Sequence, residues 1–195
     1  MTPHRLNAAF LTPEDLEAIG VFRAKERNIL VHSTAVIEDV DAIEFGENIR
    51  IDPFVVISCK QLILGDNIHL ATGCGIFGAA RISIGDFANV SGKVFIYSSS
   101  DDYSGKTMTN PTVPIQFTGV QHAEVSIGRH AIVGAGSIIL PGSTLGEGVA
   151  IGCSSLVNGA IAPWTISAGV PAKKIRNRER KLLEHETAYF NSKKL

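Results

Sequence analysis

An aliphatic residue recurs at every sixth position in the second half of this 195-residue chain. A small residue, usually glycine, follows four of the six members of the series, which are Ile127, Val133, Ile139, Leu145, Ile151 and Val157. A period of six fits neither the 3.6-residue turn of an α-helix nor the two-residue repeat of an ordinary strand. It is typical of an all-β solenoid built as a parallel β-helix, in which each coil stacks on the next.

A longer repeat is superimposed on the six-residue one. The phrases FGENI at 45, LGDNI at 64, IGDFA at 84, IGRHA at 127 and LGEGV at 145 mark the same point of successive coils. Their spacings of 19, 20 and 18 residues indicate three hexapeptides per coil, with occasional single-residue bulges at the corners. The interval from Ile84 to Ile127 is much longer and predicts two coils plus an insertion of seven residues or more. That insertion is the first place to look for a site.

The repeat also predicts which side chains point inward. The leading aliphatic residue of each hexapeptide should stack on its counterpart in the next coil. The fifth residue should be small because it shares the crowded interior, as at Ala131, Ser137, Ser143 and Ser155. Gly and Asn at the corners permit left-handed backbone angles.

The two ends of a solenoid need caps, because an end coil has a neighbour on one side only. Residues 12–19 predict a short helix with Thr12 as its N-cap and a capping box to Asp15. The charged stretch after residue 176 predicts a terminal helix. The division is therefore an N-terminal cap over 1–30, a β-helix over 31–175 with an extended loop at about 98–123, and a C-terminal helix over 176–195.

Composition excludes several classes of partner. The net charge is −1, so neither nucleic acid nor a membrane surface is expected to bind. No stretch is long and apolar enough to span a bilayer, and the N-terminus lacks the features of a signal peptide. Cys59, Cys74 and Cys153 have no CxxC spacing, so they are interpreted as small, reduced interior residues without a metal. A cytoplasmic protein is expected.

The hexapeptides, the interrupted coil and the ending AGVPAKKIR together resemble the hexapeptide-repeat acyltransferases, specifically the galactoside and maltose acetyltransferase type. The stretch YSSSDDYSGKTMTNPTVP is similar to O-antigen sugar acetyltransferases, including N-acetyltransferases of nucleotide-linked 4-amino sugars such as GDP-perosamine. The resemblance implies a left-handed β-helix, acetyl-CoA as the co-substrate, no metal, and a homotrimer with active sites between subunits. It assigns cofactor binding to Ala135, Cys153, Asn158, Lys173 and Arg176.

The residues themselves leave part of this assignment open. Ala135 has a size that also suits an interior position. Lys173 and Arg176 belong to a cluster with Lys174 and Arg178, which is either a solvated charge run or a site for phosphate.

The family's catalytic histidine is missing. Counting without gaps from Ile84 places its position at Asp101, and residues 98–110 contain no histidine. An ordinary aspartate is a poor base for a sugar hydroxyl. Three explanations remain: another histidine serves, with His122 favoured over His69 and His130; Asp101 or Asp102 orients the acceptor; or an amine acceptor needs no protein base.

The remaining loop residues suit substrate recognition. Tyr97 and Tyr103 could stack on a sugar or a base, and Ser98 offers a hydroxyl. The leading hypothesis is N-acetylation of a nucleotide-linked amino sugar for surface polysaccharide, by direct attack in a ternary complex. The alternatives are sugar O-acetylation with His122 as base, a γ-type carbonic anhydrase, whose ligand spacing is wrong here, and a non-catalytic β-helix scaffold.

Overall fold

The computed structural model describes residues 9–193. The first eight residues of the expected N-terminal cap and the last two residues of the chain lie outside the described part. The chain is a left-handed β-helix whose strands, numbered in chain order, form three faces called sheets 1, 2 and 3. Between them run three corners, called 1–2, 2–3 and 3–1 after the sheets that each one joins.

The strands of each sheet stack in parallel from coil to coil. Sheet 1 contains β1 (Ile29–Val31), β4 (Ile49–Ile51), β7 (His69–Leu70), β10 (Asn89–Val90), β15 (Ile132–Val133), β18 (Ala150–Ile151), β21 (Thr165–Ala168) and the antiparallel β22 (Lys173–Asn177). Sheet 2 contains β2 (Val36–Ile37), β5 (Val56–Cys59), β8 (Gly75–Gly78), β11 (Phe95–Tyr97), β16 (Ile138–Ile139) and β19 (Leu156–Val157). Sheet 3 contains β3 (Ile43–Phe45), β6 (Leu62–Leu64), β9 (Ile82–Ile84), β14 (Val125–Ile127), β17 (Thr144–Leu145) and β20 (Ala160–Ile161).

The interior follows the six-residue rule. All six leading aliphatic residues from Ile127 to Val157 are buried, and so are the four small fifth residues. The buried serines satisfy their hydroxyls on nearby backbone: Ser137 Oγ donates to the Gly152 carbonyl at 3.1 Å, and Ser143 Oγ to the Val157 carbonyl at 3.3 Å. The prediction of inward-facing positions is confirmed.

The long interval between Ile84 and Ile127 contains one coil, not two. Strand β14 pairs directly with β9, with Val125 opposite Ile82 and Ile127 opposite Ile84. The chain leaves the solenoid after Tyr97 at corner 2–3 and returns at Val125. The prediction of two coils was wrong because the residues between these points form a projecting loop. That loop contains a short hairpin of β12 (Ser99–Ser100) with β13 (Gln121–His122) and a 3₁₀ helix, Ile115–Phe117.

One helix covers the N-terminal end of the solenoid, and a second lies along corner 3–1 of the middle coils. Helix α1 (Pro13–Ala18) has the expected Thr12–Asp15 capping box and buries Leu16 against the first coil. Helix α2 (Leu182–Ser192) begins later than residue 176, because Lys173–Asn177 pairs with β21. Neither helix within residues 9–193 is long and apolar enough to cross a membrane.

The three cysteines divide between inside and outside. Cys59 and Cys74 are buried, and burial raises the pKa of the Cys59 thiol to about 11. Cys153 is exposed, which corrects the interior prediction. It occupies the third position of its hexapeptide, where the side chain turns outward at corner 1–2.

Candidate active site

Corner 1–2 is lined by small residues along the C-terminal coils. The register of sheet 1 places Ser91, Gly134, Gly152 and Ala168 in one row, each directly after an inward-facing residue. A Cβ on Gly134 would lie 2.5 Å from the backbone nitrogen of Cys153, so no side chain fits there. Ala135 and Cys153 follow these glycines and are both exposed. The stacking of the coils therefore requires glycine at Gly134, and the small exposed side chains of Ala135 and Cys153 leave the corner open to an extended ligand.

The structure separates the five expected cofactor residues. Ala135 and Cys153 share corner 1–2, and Lys173 pairs with Ala168 at the C-terminal end of the same row. Arg176 pairs with Ile166, farther across sheet 1, and Asn158 lies on corner 2–3. Three of the five residues thus follow one line, with an exposed cation at its end.

Arg178 is not part of an exposed cluster. Its Nη1 donates to the carbonyl oxygens of His130 at 2.8 Å and Gly148 at 3.1 Å, and burial lowers the pKa of its guanidinium. This arginine ties the C-terminal segment to corner 3–1. The other three cations of this cluster, Lys173, Lys174 and Arg176, are exposed.

The base of the loop is fixed by two serines. Ser98 is completely buried, and its hydroxyl donates to the Ala80 carbonyl at 2.7 Å, so this expected substrate residue holds the loop in place instead. Ser99 Oγ accepts from the Ala79 N–H at 2.8 Å and lies 2.7 Å from Nδ1 of His122. With the Ser99 proton directed to Nδ1, a neutral His122 carries its own proton on Nε2. In that tautomer the Nδ1 lone pair of His122 is engaged by the Ser99 hydroxyl, so neither ring nitrogen is free to act as a base on a substrate.

The two loop aspartates have different surroundings. Asp102 accepts from the Ser104 N–H at 2.7 Å and from the Thr107 N–H at 2.9 Å, and these hydrogen bonds hold the pKa of its carboxyl well below its usual range. Its carboxylate is therefore used to shape the loop. Asp101 is exposed, and no donor among residues 9–193 engages its carboxylate. It lines a cavity of about 360 Å³ with Asn110 and Ile115.

The two expected stacking tyrosines also differ. Tyr97 stacks on Phe77 with ring centroids 5.5 Å apart, and Phe95 joins the same group. The rings lie on the outer face of sheet 2, beside a groove of about 810 Å³ that is lined by Phe77, Ser99 and Pro111 among others. Tyr103 is 94% exposed at the loop tip and has no partner ring in the described chain.

The other two candidate histidines are both paired. His130 is buried at corner 3–1, where Nε2 lies 3.1 Å from Oε1 of Glu186 on α2 and the ring stacks on Phe87. His69 lies within strand β7, not at a corner as expected, and its Nε2 is 2.9 Å from Oδ2 of Asp52. His122 lies at corner 2–3, so the three histidines do not form one cluster within the described residues.

Sequence reasoning did not find the polar residues around His69. Its Nδ1 lies 3.0 Å from Oδ1 of Asn89, whose Nδ2 donates to Ser91 Oγ at 3.4 Å. The signal lay in the coil spacing, because His69 and Asn89 are 20 residues apart and hold equivalent positions in β7 and β10. Ser91 places a hydroxyl at the N-terminal end of the small-residue row.

Ser91 and Asp101 lie on opposite edges of sheet 2. Ser91 precedes strand β11 at corner 1–2, and Asp101 follows it in the loop at corner 2–3. Strand β11 lies between them in the chain. Within the described part of one chain, no hydrogen bond joins Ser91 to Asp101.

No protein-family model matches the chain. The chain is 40% identical over 183 residues to the dTDP-4-amino-4,6-dideoxy-D-glucose acyltransferase of Escherichia coli, covering 93% of this chain and 95% of that protein. It is 30% identical to the putative lipopolysaccharide biosynthesis O-acetyl transferase WbbJ of E. coli K12, covering 80% and 83%. The crystal structure of AntD, an N-acyltransferase from Bacillus cereus in complex with dTDP and 3-hydroxybutyryl-CoA, superposes with a TM-score of 0.90 at 35% identity, covering 95% of this chain and 98% of AntD.

The fold and the small-residue corner define a β-helix acyltransferase. The chain belongs to the hexapeptide-repeat acyltransferase family, alongside the sugar acyltransferases of bacterial surface polysaccharides.

Proposed function

We propose that this protein is an acyl-CoA-dependent N-acyltransferase for a nucleotide-linked 4-amino sugar, with a dTDP-linked 4-amino-4,6-dideoxy sugar as the preferred acceptor. The observation that carries the proposal is that one chain has both a small-residue corner ending in Lys173 and a loop with an exposed carboxylate at the position of the family's catalytic histidine. The relatives support a dTDP-linked sugar over GDP-perosamine, because the E. coli acyltransferase is named for one and AntD was crystallised with one.

Corner 1–2 suits the donor. A pantetheine arm can lie along this corner, because the exposed side chains there, Ala135 and Cys153, are small. Lys173, at the end of the row, supplies a positive charge for the phosphates. A thioester carried along this row towards the N-terminal coils would reach Ser91.

The solved relatives also point to Ser91 and Asp101. Variants of AntD have been solved in which a serine or an aspartate, ten positions apart in that chain, is replaced. This chain contains one Ser–Asp pair at that spacing, Ser91 and Asp101. Ser91 is half-buried and Asp101 is exposed, and we assign both to the active site.

The reaction needs orientation more than it needs a protein base. The uncharged amine attacks the thioester carbonyl carbon, so an N–C bond forms while the C–S bond breaks. Coenzyme A leaves as a thiolate and accepts the proton that the nitrogen loses. Asp101 would accept a hydrogen bond from the amine and aim its lone pair, while Ser91 would donate to the carbonyl oxygen as negative charge develops there.

The site is proposed to form between subunits of a homotrimer. Ser91 and Asp101 of one chain lie on opposite edges of sheet 2, so the loop of one subunit would complete the small-residue corner of its neighbour. A cyclic assembly repeats this contact identically at each interface.

The test is an assay of coenzyme A release with dTDP-linked and GDP-linked 4-amino sugars, their hydroxy analogues, and acetyl-CoA or 3-hydroxybutyryl-CoA. Mass spectrometry of the product would show the amide. We expect transfer to the dTDP-linked amine and none to the hydroxy analogue. Absence of acyl-CoA binding by calorimetry would refute the proposal.

A second candidate is sugar O-acylation, which the similarity to WbbJ favours. It would need a base, and His122 is the histidine nearest the loop base. In this reaction His122→Asn would abolish turnover, whereas amine acylation would continue. The hydroxy analogue and this variant together separate the two functions.

A further inference from the structure

A chain of side-chain hydrogen bonds crosses the outer face of sheet 1 and ends at Ser91. His69 Nε2 lies 2.9 Å from Oδ2 of Asp52, His69 Nδ1 lies 3.0 Å from Oδ1 of Asn89, and Asn89 Nδ2 lies 3.4 Å from Ser91 Oγ. These four residues are called the sheet 1 relay. They come from three successive coils, with Asp52 and Ser91 at corner 1–2 and His69 and Asn89 on the face of sheet 1.

The register of the strands explains how the relay is built. Arg50, His69 and Asn89 are directly opposite one another in β4, β7 and β10, so their side chains stack in one outward row. Asp52 and Ser91 lie two residues farther along their coils, at the corner. Ala71 holds the corner position of the coil between them and has only a methyl group. The His69 ring therefore makes the connection that Ala71 cannot make.

The acidic end of the relay is fixed in its ionised form. Asp52 Oδ1 accepts from Arg50 Nε at 2.7 Å, and the Asp52 side chain is only 12% exposed. Burial alone would raise the pKa of this carboxyl, but hydrogen bonds from His69 and Arg50 outweigh it and hold the pKa below its usual value. An ionised Asp52 can only accept, so Nε2 of His69 carries a proton.

In the next link Nδ1 of His69 must carry a proton as well, because the Asn89 oxygen opposite it can only accept. The Asn89 oxygen faces His69 Nδ1, and the Asn89 amide nitrogen faces Ser91 Oγ. Because the amide donates to Ser91, the serine hydroxyl keeps its own hydrogen for another acceptor. Among residues 9–193, no group accepts that hydrogen. The relay thus presents the Ser91 hydroxyl to the corner as a donor.

We propose that His69, anchored by Asp52, is a positioning residue that acts through Asn89 to aim the Ser91 hydroxyl at the reacting thioester. This inference rests on the proposed function, because it assumes that Ser91 faces the acyl donor. The three upstream residues make no contact with substrate. Their role is to fix the direction of one hydrogen bond that strengthens in the transition state.

The test is a double-mutant cycle of His69→Gln and Ser91→Ala, with kcat and KM measured for both substrates. We expect His69→Gln alone to lower kcat about 10- to 100-fold with little change in either KM. In the Ser91→Ala background, His69→Gln should cause no further loss, because the hydroxyl it aims is gone. Asn89→Ala should behave like His69→Gln. His185→Gln is the matched control, since His185 is an exposed histidine on α2 outside the relay, and it should be neutral.

Each result has a distinct meaning. Equal losses from His69→Gln in both backgrounds would overturn the relay while leaving the acyl transfer reaction intact. His69 would likewise have a purely structural role if His69→Gln lowers the melting temperature so far that unfolding at the assay temperature accounts for the whole loss of kcat. An inactive wild-type protein that does not bind acyl-CoA would instead overturn the proposed function.

Discussion

Gly78 packs against the base of the loop, where there is no room for a side chain. Comparing its replacement with that of a matched glycine should distinguish an effect on loop geometry from an effect on overall stability. Its φ is +126°, and a Cβ there would lie 2.4 Å from Ser98 Oγ and 2.7 Å from the Ser99 backbone nitrogen. Both serines hold the base of the loop. We therefore expect Gly78→Ala to displace the loop as well as to destabilise the fold.

The magnitude can be worked out against a matched glycine. Gly159 also has a left-handed φ, of +107°, but a Cβ there would meet nothing within 4 Å. Both alanine variants pay backbone strain of about 1–3 kcal/mol. Only Gly78→Ala adds a clash, which costs about 1–3 kcal/mol. For a chain of this size that clash should lower the melting temperature by about 2–12 °C more than in Gly159→Ala.

Calorimetry and acyl transfer kinetics measure the two effects. We expect Gly78→Ala to lower kcat/KM by about 10- to 100-fold at a temperature where it remains folded, because small displacements of positioning groups are costly. Gly159→Ala should retain activity. Equal melting temperatures for the two variants, or full activity in Gly78→Ala, would refute the steric argument.

Three further substitutions test individual roles. Asp101→Asn should lower kcat/KM for the amino sugar about 100-fold without changing the melting temperature, because its exposed carboxylate aligns the amine; retained activity in the coenzyme A release assay would contradict this. His122→Asn should keep turnover within about threefold, since an amine needs no protein base; complete loss would favour O-acylation. Lys173→Glu should raise KM for acyl-CoA about tenfold with kcat unchanged, and added salt should weaken wild-type binding; an unchanged KM would remove Lys173 from the phosphate site.

The fold could be predicted because the solenoid constrains its sequence at every sixth residue. Ile127 and Ile139 had to be aliphatic to fill the interior, and Ser137 had to be small. The loop broke this rule, so counting through it gave one coil too many. Periodicity carries information only where the chain pairs with its neighbours.

The candidate site was harder to predict because outward residues escape that constraint. A loop residue such as Ser98 or Asp102 can serve a ligand or the loop itself, and the sequence does not distinguish these uses. The structure shows Ser98 bonded to the Ala80 carbonyl of the preceding coil and Asp102 bonded to the loop's own backbone. The sheet 1 relay was missed for another reason, since Asp52, His69 and Asn89 are polar residues that meet only after three coils stack.

The position of Ser91 and Asp101 on opposite edges of sheet 2 leads to a prediction about assembly. If each active site combines Ser91 of one subunit with Asp101 of the next, Ser91→Ala and Asp101→Asn lie on different sides of every interface. Two inactive variants could then restore one another. Coexpression with two different affinity tags and purification through both would isolate only mixed assemblies.

The expected recovery follows from the geometry of a cyclic trimer. Whether a mixed trimer holds two Ser91→Ala subunits or two Asp101→Asn subunits, only one of its three interfaces joins an intact serine to an intact aspartate. Turnover should therefore recover to about a third of the wild-type value per trimer, with each parent variant alone giving the background rate. A mixed assembly no more active than its parents would contradict this shared site. In that case Ser91 and Asp101 would have to act within one chain, and the loop would have to fold across the aromatic rings of sheet 2 to bring them together.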